Sequence, residues 1–253
     1  MGVRLVPLEC GWIEGSLASF LAGGEGRVRL PVPAWLVQHP RGTLLFDAGM
    51  HVDVQHDPRG RLGPIANVMT PRYVRGEEVA ARLAERGVDA ARVDLLACSH
   101  LHFDHAGGLA QVPNARLLVQ RTEWEAGRDP DLRRANFYDP RDFDLGHTLQ
   151  LLDGEHDVFG DGAVVCLPTP GHTPGHQSLR VVTESGPVVL TADACYFRRT
   201  LAEDALPPFA HDFAAMRRSL HRLRRLAAAG DRLHFGHDPE QWGTLCPAPA
   251  AGS

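Results

Sequence analysis

Long apolar segments are missing from this sequence. No run of about 18 apolar residues occurs, which is the length that a membrane-spanning helix needs. The first residues include acidic side chains and no continuous apolar stretch, so we expect no secretory signal. The five cysteines lie far apart and form no CxxC pair, a pattern that favours a reducing compartment over a disulfide framework. We therefore predict a cytoplasmic protein that does not enter a membrane.

A basic stripe is missing as well. The chain has 26 Lys and Arg against 31 Asp and Glu, which gives a formal net charge of −5. Nucleic-acid-binding domains usually carry clustered basic residues, so we expect no nucleic-acid partner. A nuclease is disfavoured for the same reason, because its phosphate-rich substrate needs a positive groove. The sequence also has no G-x-S-x-G motif, so nothing indicates a serine nucleophile on a tight turn.

What the chain does have is the composition of a globular protein. Of its 253 residues, 43% are hydrophobic and 23% are charged. There are no repeats in the sequence and no linker-like change of composition. We expect one domain over residues 1–253, with a core from about 30 to 242 and a disordered tail over 243–253.

Short apolar segments alternate with helical patterns along the chain. Strands are predicted at 43–50, 93–98, 116–120, 164–167, 179–182, 188–191 and 233–235. Helices are predicted over 77–86, after Thr122 with Glu125 at the capping-box position, and after Asp212. Strands thus occur both in hairpins and beside helices, which predicts α/β sheets covered by helices.

The segment SHLHFDHAGG, residues 99–108, follows one of the predicted strands directly. In an extended loop, side chains two residues apart point the same way, so His100, His102 and Asp104 can converge. His105 follows at once. Three imidazoles and a carboxylate suit borderline transition metals, Zn²⁺ first. Without a metal, such crowding would carry unmet desolvation and repulsion costs.

Three further ligand-type residues follow predicted strands: His172, Asp193 and His237. The carboxyl ends of strands are where α/β enzymes place their sites. Together with the four residues of the loop, these side chains are enough for two metal ions.

This order of motifs, HxHxDH and then a His, an Asp and a final His, resembles the metallo-β-lactamase superfamily. The resemblance implies an αββα sandwich of two mixed sheets flanked by helices. It implies that the first metal is held by His100, His102 and His172. It implies that the second is held by Asp104, His105 and His237, and that Asp193 bridges both.

Finer motifs resemble the N-acyl-homoserine lactone lactonases, which are quorum-quenching enzymes. These motifs are SHLHFDHAGG, VQRTEWEAG, TPGHTPGHQSL, LTADACY and FGHDPEQ. The resemblance implies that Tyr196 contacts the substrate carbonyl. It implies attack of a metal-bound hydroxide on the lactone carbonyl, with Asp104 carrying a proton to the leaving alkoxide. Residues 1–30 and 50–73 match this family poorly, so the sequence does not predict the preferred acyl length.

Several neighbouring residues have two interpretations. Phe103 can border the substrate's acyl chain or pack under its loop. Residues 62, 65, 68 and 69 are Leu, Ile, Val and Met, and they can form an acyl pocket or pack. Asp47 can orient a ligand histidine or cap a turn, and His176 is expected to hydrogen-bond behind the ligands. His234 is expected to point away from the site.

Other functions stay open on the same fold: hydrolysis of a different lactone, an aryl ester or a thioester. The tail PAPAAGS lacks the basic patch expected of a glutathione thioesterase. A non-catalytic binding module is disfavoured by the complete ligand set together with Tyr196. Zn²⁺ is the default metal, but Mn²⁺, Fe²⁺ or Co²⁺ also suit mixed nitrogen and oxygen ligands. The partner is a small molecule, and the oligomeric state, with a homodimer among the options, stays open.

Overall fold

Two β-sheets pack against each other in a computed structural model that describes residues 2–246. The strands are β1 Arg4–Ser16, β2 Arg27–His39, β3 Gly42–Phe46, β4 Thr70–Arg72, β5 Leu95–Ala97, β6 Arg116–Gln120, β7 Leu149–Leu152, β8 His156–Asp157, β9 Val164–Pro168, β10 Gln177–Thr183, β11 Gly186–Leu190 and β12 Arg232–His234. The α-helices are α1 Pro58–Leu62, α2 Ile65–Val68, α3 Val79–Glu85, α4 Arg121–Arg128, α5 Pro130–Ala135, α6 Pro140–Phe143, α7 Arg198–Glu203, α8 Phe213–Ala228 and α9 Pro239–Leu245.

Both sheets are mixed. The larger sheet has the order β4-β1-β2-β3-β5-β6-β7, antiparallel through β3 and parallel from β3 to β7. The smaller sheet has the order β12-β11-β10-β9-β8, and only its β11–β12 pair is parallel. This confirms the predicted sandwich of two mixed sheets flanked by helices.

Alternating side chains explain why the strands are apolar on both faces. Leu44 and Phe46 of β3 face the core between the sheets, where they meet Val188 of β11. The intervening Leu45 faces the opposite way and packs with Leu83 of α3. A strand that is buried on both faces has a continuous run of apolar residues in its sequence. Because β3, β5 and β6 have such runs, they could be predicted from the sequence.

The smaller sheet is covered by α8. Met216, Leu220 and Leu223 on one face of this helix pack with Val189 and Leu233 of the sheet. The Asp212 carboxylate accepts hydrogen bonds from the amides of residues 214 and 215, as the predicted N-cap should. The start of this helix is therefore as predicted.

The N-terminal region corrects one prediction. The core was expected from about residue 30, but β1 begins at Arg4 and pairs with β2 over almost its whole length. A register shift between Glu9 and Trp12 interrupts β1, and β2 contains Pro31 and Pro33. Because proline and β-bulges are uncommon in central strands, the sequence pattern did not predict these two strands, which are the longest in the described part of the chain.

Two smaller corrections concern helix ends. The N-cap position of α4 is Gln120 rather than Thr122, and no side chain caps this helix. The predicted tail over 243–253 begins too early, because α9 runs to Leu245 and Trp242 of this helix is buried. Residues 247–253 lie outside the described part of the chain. Among the helices of residues 2–246, none has the length and apolar character to cross a membrane.

Candidate metal centre

Strands that run in the same direction bring the predicted ligands to one edge of the sandwich. The loop with His100, His102, Asp104 and His105 follows β5. His172 follows β9, Asp193 lies in the turn after β11, and His237 follows β12. Gln177 joins the two sheets at this edge, since its amide donates to the Ser99 carbonyl at 2.9 Å. All seven predicted residues therefore meet in one place.

The first group contains His100, His102, His172 and one oxygen of Asp193. Nδ1 of His102 lies 2.9 Å from Nε2 of His100 and 3.0 Å from Nε2 of His172. Oδ2 of Asp193 lies 3.3 Å from Nε2 of His172 and 3.8 Å from Nε2 of His100. Four ligands placed about 2.0–2.1 Å from a tetrahedral Zn²⁺ are roughly 3.3 Å apart, so these spacings suit one shared cation.

The second group contains Asp104, His105 and His237. The other oxygen of Asp193, Oδ1, lies 3.2 Å from Nε2 of His105 and 3.1 Å from Nε2 of His237. Oδ2 of Asp104 lies 3.7 Å and 3.8 Å from the same two nitrogens. Asp193 therefore presents one carboxylate oxygen to each group, which is the arrangement that a bridging ligand needs.

Hydrogen bonds behind the first group determine which ring nitrogens carry protons. Nε2 of His102 lies 2.8 Å from the Asn136 carbonyl, so this nitrogen must donate and Nδ1 is bare. Ser99 Oγ donates to Asp47 at 2.8 Å, so it accepts from Nδ1 of His100 at 2.9 Å, which leaves Nε2 of His100 bare. Two bare nitrogens therefore face each other at 2.9 Å. Such lone pairs repel unless a cation lies between them.

The second group is oriented in the same manner. Nδ1 of His105 donates to Oδ2 of Asp47 at 2.9 Å, and Nδ1 of His237 donates to the Pro31 carbonyl at 2.8 Å. Oδ1 of Asp47 also accepts from the Ser99 amide, at 2.6 Å. Of the two interpretations of Asp47, the structure therefore has the one in which it orients a histidine.

Two buried atoms in this cluster lack a partner. Within residues 2–246, Nε2 of His105 and Oδ1 of Asp193 are both buried from solvent, and neither makes a hydrogen bond of acceptable geometry. Buried polar atoms are almost always satisfied, so each exception needs an explanation. A divalent cation between them supplies one, and the nitrogen and carboxylate donor set fits such an ion.

Burial and charge act in opposite directions on the groups of the cluster. Burial holds the pKa of His100 and His172 well below the usual range, so both rings are neutral ligand-type imidazoles. Burial also lowers the pKa of His105 and His237, but the facing carboxylates of Asp193 and Asp104 together outweigh it and raise both. Burial would raise the pKa of Asp193, yet His105 and His237 hold it well below its usual range.

The loop that carries His172 is fixed against the start of α8. The amide of His211 donates to the His172 carbonyl at 3.1 Å, and the amide of Asp212 donates to the Gly171 carbonyl at 2.9 Å. Gly171 has φ +132°, and a Cβ there would lie 2.1 Å from the backbone nitrogen of Met216. Only glycine permits this approach.

His176 and His234 lie outside both groups. Nε2 of His176 accepts from the Asp193 amide at 3.1 Å, and its Nδ1 is 2.9 Å from Thr169 Oγ1. It therefore hydrogen-bonds behind a predicted ligand, as expected, and burial lowers its pKa to about 3. His234 packs on Trp35, with ring centroids 5.0 Å apart.

Tyr196 lies beside both groups. Its hydroxyl is 3.4 Å from Nδ1 of His172, and its ring stacks on His237 with centroids 5.5 Å apart. Burial raises the pKa of Tyr196 well above its usual value, so the hydroxyl keeps its proton. A protonated phenol can donate to a developing oxyanion at this position.

An apolar cavity of about 430 Å³ adjoins the first group. Its lining consists of Ser19, Pro64, Ile65, Val68, Met69, His102, Phe103, Phe137, Pro208 and Phe209. Phe103 is packed under its loop, where it is 9% exposed, and it also lines the cavity; its contact with an acyl chain stays a prediction. Ile65, Val68 and Met69 line the cavity as well, whereas Leu62 packs on the core.

Three residues of this region had no place in the sequence prediction: Glu123, Asn136 and Phe137. Glu123 is fully buried in the first turn of α4, next to the metal-binding loop. Its signal was an acidic residue three positions after β6, the strand that neighbours β5. Nothing in the sequence pattern marks Asn136, because it contacts His102 through its backbone carbonyl rather than its side chain.

Comparison with known proteins agrees with this geometry. The family model described as the metallo-beta-lactamase superfamily matches residues 27–237. The N-acyl homoserine lactonase AttM of Azorhizobium caulinodans is 36% identical over 256 residues, covering 98% of this chain and 97% of that protein.

Two solved structures are similar over nearly the whole chain. One is an N-acyl homoserine lactone hydrolase with the product N-hexanoyl-L-homoserine bound at its catalytic metal centre, with a TM-score of 0.84 and 28% identity, covering 98% of this chain and 96% of that one. The other is a Bacillus thuringiensis AiiA variant with N-decanoyl-L-homoserine bound at the active site, with a TM-score of 0.86 and 28% identity, covering 98% of both chains.

Proposed function

The chain belongs to the metallo-β-lactamase superfamily, and from that premise we propose that it opens the lactone ring of N-acyl homoserine lactones by metal-dependent hydrolysis. The observation that carries the proposal is the junction of two features. A cluster of seven metal-ligand side chains shares His102 with an apolar cavity of about 430 Å³, and Phe103, the next residue of the same loop, also lines that cavity. A substrate with a polar ring and an apolar tail fits this arrangement, with the ring beside the metal-ligand cluster and the tail in the cavity.

We assign His100, His102 and His172 to one divalent cation and Asp104, His105 and His237 to a second, with Asp193 shared. When bound, such cations lower the pKa of water and polarise a carbonyl oxygen. Zn²⁺ is the first candidate for both positions, and Mn²⁺, Fe²⁺ or Co²⁺ also suit these donors.

The chain's own residues account for orientation and proton transfer. The acyl chain lies in the cavity against Phe103, which places the lactone ring beside the cluster. The hydroxyl of Tyr196 donates a hydrogen bond to the lactone carbonyl oxygen as negative charge develops there. The Asp104 carboxylate takes the proton released by the attacking water and delivers it to the ring oxygen when the ester C–O bond breaks. The product is N-acyl homoserine, with a new hydroxyl and a new carboxyl group, which loses its own proton to solvent at neutral pH.

Turnover by the metal-loaded and the chelator-treated protein tests the proposal. We expect hydrolysis of N-hexanoyl and N-decanoyl homoserine lactone, loss of activity on chelation, recovery with added Zn²⁺, and about two ions per chain by metal analysis. An aryl ester and a glutathione thioester serve as controls. Faster turnover of either control than of every lactone, or activity that survives complete metal removal, would contradict the proposal.

Three predictions concern the molecule as a whole and stay predictions: one domain over residues 1–253, a cytoplasmic location, and a small-molecule partner with a homodimer among the possible assemblies.

A further inference from the structure

Glu123 connects the two loops that carry the first group of ligands. Its Oε1 accepts from the amide of Leu101 at 3.0 Å, and Leu101 lies between His100 and His102. Its Oε2 accepts from Thr173 Oγ1 at 2.9 Å and from the amide of Gly175 at 2.8 Å. Thr173 and Gly175 come one and three residues after His172 in the sequence.

The loops can reach this carboxylate only because the second one approaches α4 closely. A Cβ at Gly175 would lie 2.2 Å from the backbone nitrogen of Glu123. The carboxylate is fully buried, and its fourth partner is the hydroxyl of Tyr138 at 2.6 Å. Each oxygen therefore accepts one backbone N–H and one hydroxyl.

Tyr138 extends the connection to a third segment. Two residues earlier, the Asn136 carbonyl accepts from Nε2 of His102 at 2.8 Å and so directs Nδ1 of that ring into the first group. Glu123 thus reaches His102 by two routes, through the Leu101 amide and through the segment 136–138.

The second group is held by different residues. His105 is oriented by Asp47 and His237 by the Pro31 carbonyl, and neither contact involves Glu123. Glu123 therefore supports the loops of the first group alone, although the two groups share Asp193 and Asp47 also reaches His100 through Ser99 Oγ.

We propose that Glu123 is a positioning residue that sets the register of His100 and His102 against His172, and so determines the metal affinity of the first group selectively. The inference rests on the proposed metal ligands but not on the identity of the substrate.

The substitution Glu123→Gln tests this with almost no change of shape. A glutamine has one acceptor oxygen and one NH₂ group, so its NH₂ must face either the Leu101 amide or the Gly175 amide. A donor facing a buried donor displaces that loop. Glu125→Gln is the matched control, since it is the same exchange two residues later in α4 on an exposed side chain.

Metal affinity is measured by competition with a chromophoric chelator in two backgrounds that each retain one group. His237→Ala leaves the first group, and His172→Ala leaves the second. We expect Glu123→Gln to weaken Zn²⁺ binding about 10- to 100-fold in the His237→Ala background, the usual effect of losing a ligand-orienting partner. In the His172→Ala background we expect a change of less than about threefold, since Glu123 contacts neither Asp47 nor Pro31 and independent positions behave additively. Co²⁺ absorption spectra of the same proteins report the ligand geometry independently of activity.

Equal weakening in both backgrounds would mean that Glu123 only stabilises the fold, and no weakening in either would mean that it does not position the ligands. Either result overturns the inference. If Glu123→Gln does not fold, Thr173→Val removes one hydroxyl donor and keeps both amides, and the same selectivity is expected at a smaller size. A parent chain that binds no metal would instead contradict the proposed function.

Discussion

The metal-ligand cluster and the neighbouring cavity are built in opposite ways. In the cluster, short loops leave buried strand ends, and hydrogen bonds to Asp47, Pro31 and Asn136 hold the histidine rings from behind. The cavity wall is assembled from distant loops and short helices, and two of its members, Val68 and Phe137, are 57% and 59% exposed.

The two regions also differ in how they are anchored. The α1–α2 segment of the cavity wall is attached to α6 through Arg61, a buried guanidinium that pairs with Asp142 and, at 3.0 Å, with Asp139. The ion pairs of Arg61 thus anchor this part of the cavity wall. In the metal-ligand cluster, by contrast, nearly every histidine ring has its own hydrogen-bond partner behind it. We therefore expect changes in the cluster to alter turnover for all substrates, and changes in the wall to alter selectivity among them.

The largest effect is expected for Asp104→Asn. The amide cannot take and deliver the proton, so kcat should fall by roughly 10²- to 10⁴-fold for short and long acyl chains alike. Steady-state kinetics with excess metal, together with metal analysis, separates proton transfer from ligand loss. A near-normal kcat would remove Asp104 from the mechanism.

Tyr196→Phe should have a smaller effect, again independent of acyl length. Loss of the phenol donor should lower kcat by about 10- to 100-fold, at or below the scale of one oxyanion donor. The metal content should stay at about two ions per chain, as expected for a residue outside the ligand set. Loss of an ion in this variant would show that Tyr196 acts through the metal ligands instead.

Val68→Trp addresses the cavity wall. Because the indole would occupy part of the cavity, KM for the N-decanoyl lactone should rise by about tenfold, while KM for an N-butanoyl lactone and both kcat values change little. Val182→Trp on β10 is the control, since Val182 is another partly exposed valine and does not line the cavity. An equal rise in KM for both lactones would contradict the inference that the cavity wall controls selectivity and the metal-ligand cluster does not.

The smallest effect concerns backbone strain at Phe137, which has φ +59°. Phe137→Ala and Phe137→Gly both remove the ring, but only glycine adopts this conformation without strain. The glycine variant should therefore be more stable to urea than the alanine variant by about 0.5–1 kcal/mol, while both raise KM for the N-decanoyl lactone. An alanine variant of equal or greater stability would show that the left-handed conformation is not strained.

The same contrast describes what sequence reasoning could reach. β6 was predicted at its observed bounds, and the seven ligand-type residues were selected because each follows a buried strand. The prediction failed in β1 and β2. A register shift in β1 and two prolines in β2 argue against strands locally, but the two segments pair with each other along most of their length. The pattern of residues within one segment therefore predicts a strand or a ligand well when that segment alone contains the evidence for it.

The chemical type of the site could be predicted from the sequence alone, because histidine and aspartate at strand ends have few other uses in such density. The residues that lie behind and beside them became apparent from the folded chain. Glu123 meets Gly175 across 52 positions of the chain, and Arg61 meets Asp142 across 81. Such partners are set by which backbones approach each other in three dimensions, and no local spacing of residue types records that approach.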